Sequence, residues 1–301
     1  MKRVVTNIIK RKFFKSGLLK NRVKDFEGAI NDFTKVIDAN NTFEGTYYSR
    51  KYRGIAFYNR GNAKAELKNY ESAIEDYNAT IDLNINANRI YLNRGDAKAK
   101  SKDYVGAISD FTKIIEIYPD YGEVYLHRGF NKINIEDYQG AIFDCNKAIE
   151  LNVKSDFAYF IRAFSKNKSE DYQGAILDYT KAIEINPKYG SAYCNRGIVK
   201  AKLNNFSDAI NDYNKAIELD PVSDTFYFNR GTGKDGLKDY EGAISDYTKA
   251  IDLNPALGMA YDNRGDSKFN SGDKKGACED FKKACELGSK EGCESLKTKC
   301  R

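Results

Sequence analysis

Apolar residues along this chain fall at helical spacing in short blocks, and the blocks come in pairs. Across residues 88–121, Tyr91 is followed by Gly95 and Lys98, then by a turn carrying Asp103 ahead of Tyr104. Ala107, Ile108, Phe111, Ile114 and Ile115 come next. Apolar positions three and four apart turn one helical face toward a core, so the segment predicts two helices joined by a short turn. Pro119 closes it, and Pro187, Pro221 and Pro255 close other such segments, each where a new helix has to begin.

The pairs repeat at a fixed step. Tripeptides centred on Arg60, Arg94, Arg128, Arg162, Arg196, Arg230 and Arg264 lie 34 residues apart, as do Ala73, Ala107, Ala141, Ala175, Ala209, Ala243 and Ala277. An earlier copy at Ala29 is displaced by a ten-residue insertion near 44–53. A period of this length predicts stacked supersecondary units. The pattern resembles the tetratricopeptide repeat, W-x2-L-G-x2-Y…A-x3-F…P. The likeness covers residues 10–291 as eight repeats, beginning at Lys10, Gly54, Asn88, Gly122, Asp156, Gly190, Asp224 and Gly258, and positions below are counted from those residues. Position 4 is aromatic and position 20 is Ala in all eight; position 8 is Gly except at Ala163, and position 24 is aromatic except at Cys145. The resemblance implies an all-α, right-handed α/α superhelix of about eight helix-turn-helix repeats. A basic segment at 1–9 would precede it and a C-terminal capping helix at 292–301 would close it.

Two departures from the family pattern recur together. Position 7, Leu in the family, is Arg in seven repeats, and position 11 is Lys in all eight. Position 23 is Asp throughout, at Asp32, Asp76, Asp110, Asp144, Asp178, Asp212, Asp246 and Asp280. A half-buried Arg without a counter-ion is costly. The expectation is therefore a structural series pairing Arg60, Arg94, Arg128, Arg162, Arg196, Arg230 and Arg264 with Asp76 through Asp280. The Lys stems would lie on aromatics with their ammonium groups in solvent. The competing reading, a basic stripe for anions or nucleic acid, is weakened by an Asp that returns with every Arg.

In the family the first helices line the inner wall of the superhelix, near positions 2, 5, 6 and 9. That placement would set Asn59, Asn93, Asn195, Asn229 and Asn263 in a row able to bridge peptide main chain. The row is similar to the asparagine series of the O-GlcNAc transferase superhelix; the competing reading is tolerated surface Asn. His127 and Ile161 interrupt it. Around the break Leu126, Phe130, Phe157, Phe160, Ile161, Phe164 and Ile198 suggest an apolar pocket for a partner side chain, against the reading that they fill the core. A clamp for C-terminal carboxylates fails, because its nearest set, Tyr58, Asn62, Asn93, Glu123 and His127, lacks two cations and puts an acid in place of one.

Charge adds one asymmetry. Nine basic residues and no acid fall in residues 1–24; removing those nine from the 49 leaves 40 basic against 43 acidic residues. The body is thus mildly acidic, which argues against a nucleic-acid groove along its length; the basic N-terminal segment reads as the solvated cap of the first repeat, with an arm for anionic lipid or nucleic acid as the competing reading. No apolar run approaches the ~20 residues of a membrane span. The start, "MKRVVTNIIKRKFFKSGLL", has a short apolar patch and no small-residue cleavage site, so a cytoplasmic location is expected.

The stretch "GACEDFKKACELGSKEGCESLKTKC" places Cys278, Cys285, Cys293 and Cys300 symmetrically about Gly288–Lys290. A hairpin there would make two facing pairs. The stretch also resembles Sel-like repeats of secreted cysteine-rich proteins, in which such a pair closes a disulfide. Two readings stand: buried thiols under a capping helix, or Cys285–Cys293 and Cys278–Cys300 bonds in an extracytoplasmic protein. Zinc is a poorer reading, since cysteines seven apart on one helix are about 10.5 Å apart along its axis, too far for one tetrahedral ion. "GTGKDG" at 231–236 lies inside a helix with no strand before it, so it is not read as a phosphate loop. One histidine and dispersed acids offer no catalytic constellation. The sequence therefore predicts a non-enzymatic scaffold, without cofactor or metal, that binds a peptide or helical segment of another protein.

Overall fold

The computed structural model describes residues 2–40, 47–85 and 88–300, and its elements there are α-helices. They fall into two compact units, Met1–Val153 and Lys154–Arg301. The first holds α1 (Lys2–Arg22), α2 (Phe26–Asn40), α3 (Tyr47–Glu66), α4 (Tyr70–Asp82), α5 (Asn88–Lys100), α6 (Tyr104–Ile117), α7 (Gly122–Asn134) and α8 (Tyr138–Glu150). The second holds α9 (Asp156–Lys168), α10 (Tyr172–Ile185), α11 (Gly190–Lys202), α12 (Phe206–Leu219), α13 (Asp224–Gly236), α14 (Tyr240–Leu253), α15 (Gly258–Ser271), α16 (Lys274–Glu286) and α17 (Lys290–Lys299). Helix α1 runs unbroken from Lys2 past residue 10. Residues 47–53 of the insertion lengthen α3, while 44–46 lie outside the described residues.

The turn inside each repeat is built the same way eight times. Position 15 adopts a left-handed backbone, with φ of 59–68° at Lys24, Lys68, Lys102, Glu136, Glu170, Asn204 and Lys238, and 100° at Gly272. Non-glycine residues pay about 1–2 kcal/mol for that conformation. Two hydrogen bonds at the next residue offset it: the Asp103 N–H returns to Lys98 O at 2.8 Å, and its side chain caps α6 by accepting the Gly106 N–H at 2.9 Å. Gly recurs three residues after the Asp caps because a Cβ there would fall on the capping carboxylate. Between repeats the chain uses two solutions. Proline ends four of them, whereas Asn84, Asn152 and Gly288 supply a left-handed residue where proline is absent.

The core repeats as well. Ala at position 20 is fully buried, and the position-24 ring closes over position 8 of the partner helix. A Cβ on Gly197 would sit 2.7 Å from the Tyr213 ring, so a larger residue there requires the ring or the helix to shift. At Gly129 the opposing side chain is Cys145, whose Sγ would lie 3.7 Å from a Cβ, and the nearest atom is Asp144 Cβ at 3.3 Å, so the smaller partner leaves more room than Tyr213 does.

Candidate functional site

Arg at position 7 and Lys at position 11 of a first helix converge on the Asp at position 23 of the second. Arg128 donates from Nε to Asp144 Oδ2 at 2.9 Å and from Nη2 to Oδ1 at 2.6 Å, and Lys132 Nζ reaches Oδ2 at 2.9 Å. The same triad forms around Asp76, Asp110, Asp178, Asp212, Asp246 and Asp280, with Lys64, Lys98, Lys166, Lys200, Lys234 and Lys268 at 2.8–3.0 Å. The position-11 ammonium is therefore not in solvent as expected from the sequence. A carboxylate has about four lone-pair sites and the Arg fork uses two, so the Lys takes another. Lys132 also donates to Gly140 O at 3.3 Å. In the first repeat Ser16 replaces Arg, and Lys20 holds Asp32 at 2.8 Å. Burial works to raise the Asp32 pKa, but hydrogen bonds from Lys20 and Ser16 and the charges of Lys20 and Lys35 bring it below the ordinary value.

The third arm of the Arg fork reaches the preceding repeat. Nη1 donates from Arg60 to Thr34, Arg94 to Asn78, Arg128 to Thr112, Arg196 to Thr180, Arg230 to Asn214 and Arg264 to Thr248, at 2.6–3.1 Å. Each guanidinium also lies 5.3–5.6 Å over the position-4 ring. These arginines bind the fold together, each joining its own second helix to the repeat before it. The acceptor at position 25 was missed in the sequence, although Thr or Asn stands there in seven of eight repeats.

The position-6 asparagines are half-buried, and their amide N–H groups are engaged within the protein. Asn59, Asn195 and Asn229 donate to the carbonyls of Ile55, Ser191 and Thr225, four residues back, at 2.8–2.9 Å. Asn93 donates to Tyr58 Oη at 3.0 Å and Asn62 Oδ1 at 2.8 Å, and Asn263 points at Tyr247 Oη at 3.5 Å. At Asn93, position 6 thus meets position 9 of the preceding repeat. His127 obeys the rule with Asp96, at 3.0 Å. That bond raises the His127 pKa, against burial, with help from the Asp96 and Glu123 charges.

The apolar set divides. In the first unit Phe130 is 44% exposed, while Leu126 is buried. In the second, Phe157 is 38% exposed but Ile161 is sealed at 1%. Phe160 is half-buried; it stacks on Tyr189 at 4.9 Å and meets Tyr179 edge-on at 5.6 Å, so it packs against the core. Phe164 and Ile198 are half-buried, the latter against the core around Cys194 and Tyr213. The sequence pocket therefore loses Ile161, Phe160 and Leu126 to packing. A site the sequence did not suggest lies in the first unit, where Arg89, Leu92, Ile114, Tyr118 and Tyr121 line an open cleft of about 400 Å³.

Cys278 is bonded to Cys300 and Cys285 to Cys293, with Cα atoms 5.7 and 4.5 Å apart. Buried thiols at these four positions are thereby replaced by bonds that fasten α17 to α16. Cys145 and Cys194 are buried thiols, and burial pushes Cys194 up to about 12, away from reactive thiolate. The glycines of "GTGKDG" lie within α13, where Gly231 packs on Tyr247 and Gly236 on Phe206. Their place within the helix and against these rings gives them a packing role. Among the described residues no group of His, Cys, Asp or Glu is placed to hold a metal ion.

Comparison with known proteins finds the same repeat. Sequence models of the tetratricopeptide repeat match residues 58–122, 190–221, 225–257 and 260–288, and one described as TPR repeat matches 166–204. No curated protein matches the chain. Among solved structures, a tetratricopeptide repeat protein from Parabacteroides merdae is similar over 82% of this chain and 99% of its own, at 20% identity and a TM-score of 0.66. MamA is similar over 57% of this chain and 94% of its own, at 27% identity and a TM-score of 0.51. YrrB, described as a TPR protein with an unusual peptide-binding site, is similar over 62% and 97%, at 21% identity and a TM-score of 0.53. Repeat length, helix pairing and these matches agree: the chain belongs to the tetratricopeptide repeat proteins.

Proposed function

We propose that the chain is a protein-interaction scaffold whose first-helix faces take up an extended or helical segment of a partner, and that it works by binding and not by catalysis. The observation that carries this reading is the division of labour among polar positions. Arg, Lys and Asp at positions 7, 11 and 23 are consumed inside the fold. The amides of Asn59, Asn195 and Asn229 are half-exposed, and their Oδ1 atoms accept no hydrogen bond among the described residues. Those oxygens are suited to accept main-chain N–H groups. The exposed edges of Phe157 and Phe130 supply apolar contacts within their own units. The description of YrrB as peptide-binding is in keeping with this.

A pull-down comparing wild type with Asn195→Ala/Asn229→Ala and with Phe157→Asp/Phe164→Asp tests the reading. Loss of captured proteins in both variants is expected; an unchanged set in both overturns it.

The disulfides favour a second proposal, that the protein works in an oxidising, extracytoplasmic compartment. Protein purified without reductant and then denatured would show the two thiols of Cys145 and Cys194. Titration of all six cysteines would restore the cytoplasmic expectation.

A further inference from the structure

The last repeat departs from the other seven at position 5. Where they carry apolar or aromatic residues such as Leu126 and Phe228, it carries Asp262, which is only 8% exposed. Its Oδ1 is buried and has no hydrogen-bond partner among the described residues. The charges bearing on it are those of Asp266, Lys299 and Glu291. Behind it on α13, Asp235 accepts hydrogen bonds from Tyr247 and Ser267, both at 2.7 Å. Lys299 of α17 brings an ammonium to this corner: it pairs with Asp266 and lies 5.8 Å from the Phe269 ring centre and 5.2 Å from that of Phe281. Its neighbour in the chain, Cys300, is bonded to Cys278.

Lys299, on the helix that follows the last repeat, meets Asp266 at position 9, as Asn93 meets Asn62 and His127 meets Asp96 from the helices that follow theirs. It therefore occupies the terminal place in the series of first-helix contacts. Carboxylates beside aromatic faces are the chemistry that recognises an ammonium group. A buried, unpartnered carboxylate leaves that corner short of positive charge. We propose that the Asp262–Asp266–Phe269 corner is a binding site for a lysine side chain of the partner segment, and that Lys299, tethered through Cys300, fills it in the unbound chain. The inference deepens the scaffold reading and rests on it for the source of the lysine. Asp266 is 45% exposed on its side chain, so the site opens to solvent.

Fluorescence anisotropy of the full chain with a labelled Ala/Lys peptide, and with an Ala/norleucine peptide of equal length, tests this. Lys299→Ala is expected to bind the Ala/Lys peptide about tenfold more tightly than wild type, since it removes a tethered competitor. Adding Asp266→Asn to Lys299→Ala is expected to abolish the gain, and so is adding Asp262→Asn. The Ala/norleucine peptide is expected not to bind. Equal affinity of wild type and Lys299→Ala overturns the proposal. So does a gain that survives both carboxylate substitutions, which marks binding by general charge. Asp266 is half-exposed, so its substitution remains informative if Asp262→Asn fails to fold. Failure here with the pull-down variants still losing their partners removes the lysine site and leaves the scaffold. Tighter lysine-peptide binding with an unchanged pull-down supports the site and removes the scaffold reading alone.

Discussion

Arg128 and Asp144 face each other as two parallel forks, Nε to Oδ2 at 2.9 Å and Nη2 to Oδ1 at 2.6 Å, on a carboxylate with no exposed surface. Lys132 shares that carboxylate, so the cluster holds two cations and one anion. Asp144→Asn strands both cations in a buried place. It is expected to cost about 3–5 kcal/mol, read as a lowered midpoint of urea unfolding. Lys132→Met leaves a neutral Arg–Asp pair and should cost no more than about 1–2 kcal/mol.

Gly129 and Gly197 occupy the same position in different repeats and should respond differently to the same change. Gly197→Ala drives a methyl against the Tyr213 ring, 2.7 Å away. It is expected to destabilise by about 1–3 kcal/mol. Gly129→Ala meets nothing nearer than Asp144 Cβ at 3.3 Å. The higher helix propensity of Ala, up to about 1 kcal/mol, should make it neutral or mildly stabilising. Thermal unfolding followed by circular dichroism compares the two.

The His127–Asp96 pair gives a pH dependence of known sign. The His pKa is raised in the folded state, chiefly by the hydrogen bond to Asp96. The pair therefore contributes its full stability below the unfolded value near 6.5 and loses it as pH rises through the folded value. Asp96→Asn should lower the His127 midpoint, measured from its ring proton shifts, and flatten stability over that window.

Reduction of the two C-terminal disulfides should loosen α17 before the rest of its unit. The bonds close spans of 22 and 8 residues, each restraining the unfolded chain by roughly 2–4 kcal/mol. Amide hydrogen exchange is expected to accelerate across Lys290–Lys299 on reduction, with α13 and α14 unchanged.

The helix pairs were legible because period and apolar spacing are properties of the chain itself. Arg at position 7 and Asp at position 23 could be matched because both recur and a buried Arg demands an anion. Thr and Asn at position 25 recur equally, yet a short polar residue on a helix has an exposed reading that needs no partner, so the donor it receives was invisible. Phe160 and Phe157 lie three residues apart and share a sequence stripe. Their separation into core and surface depends on Tyr189, a ring in the next repeat that no local pattern could place. Asp262 was passed over for the opposite reason, since one acid among 43 carries no signal until its burial is known.

The contact from each Arg to the Thr or Asn behind it makes neighbouring modules interchangeable. Arg196 reaches Thr180, and Arg230 reaches Asn214. Excision of residues 190–223 would bring Arg230 up to Thr180, an acceptor of equal reach. Duplication of the same segment would offer the extra copy an identical joint at both ends. Such a chain can lengthen or shorten over evolutionary time by whole repeats without redesigning a seam.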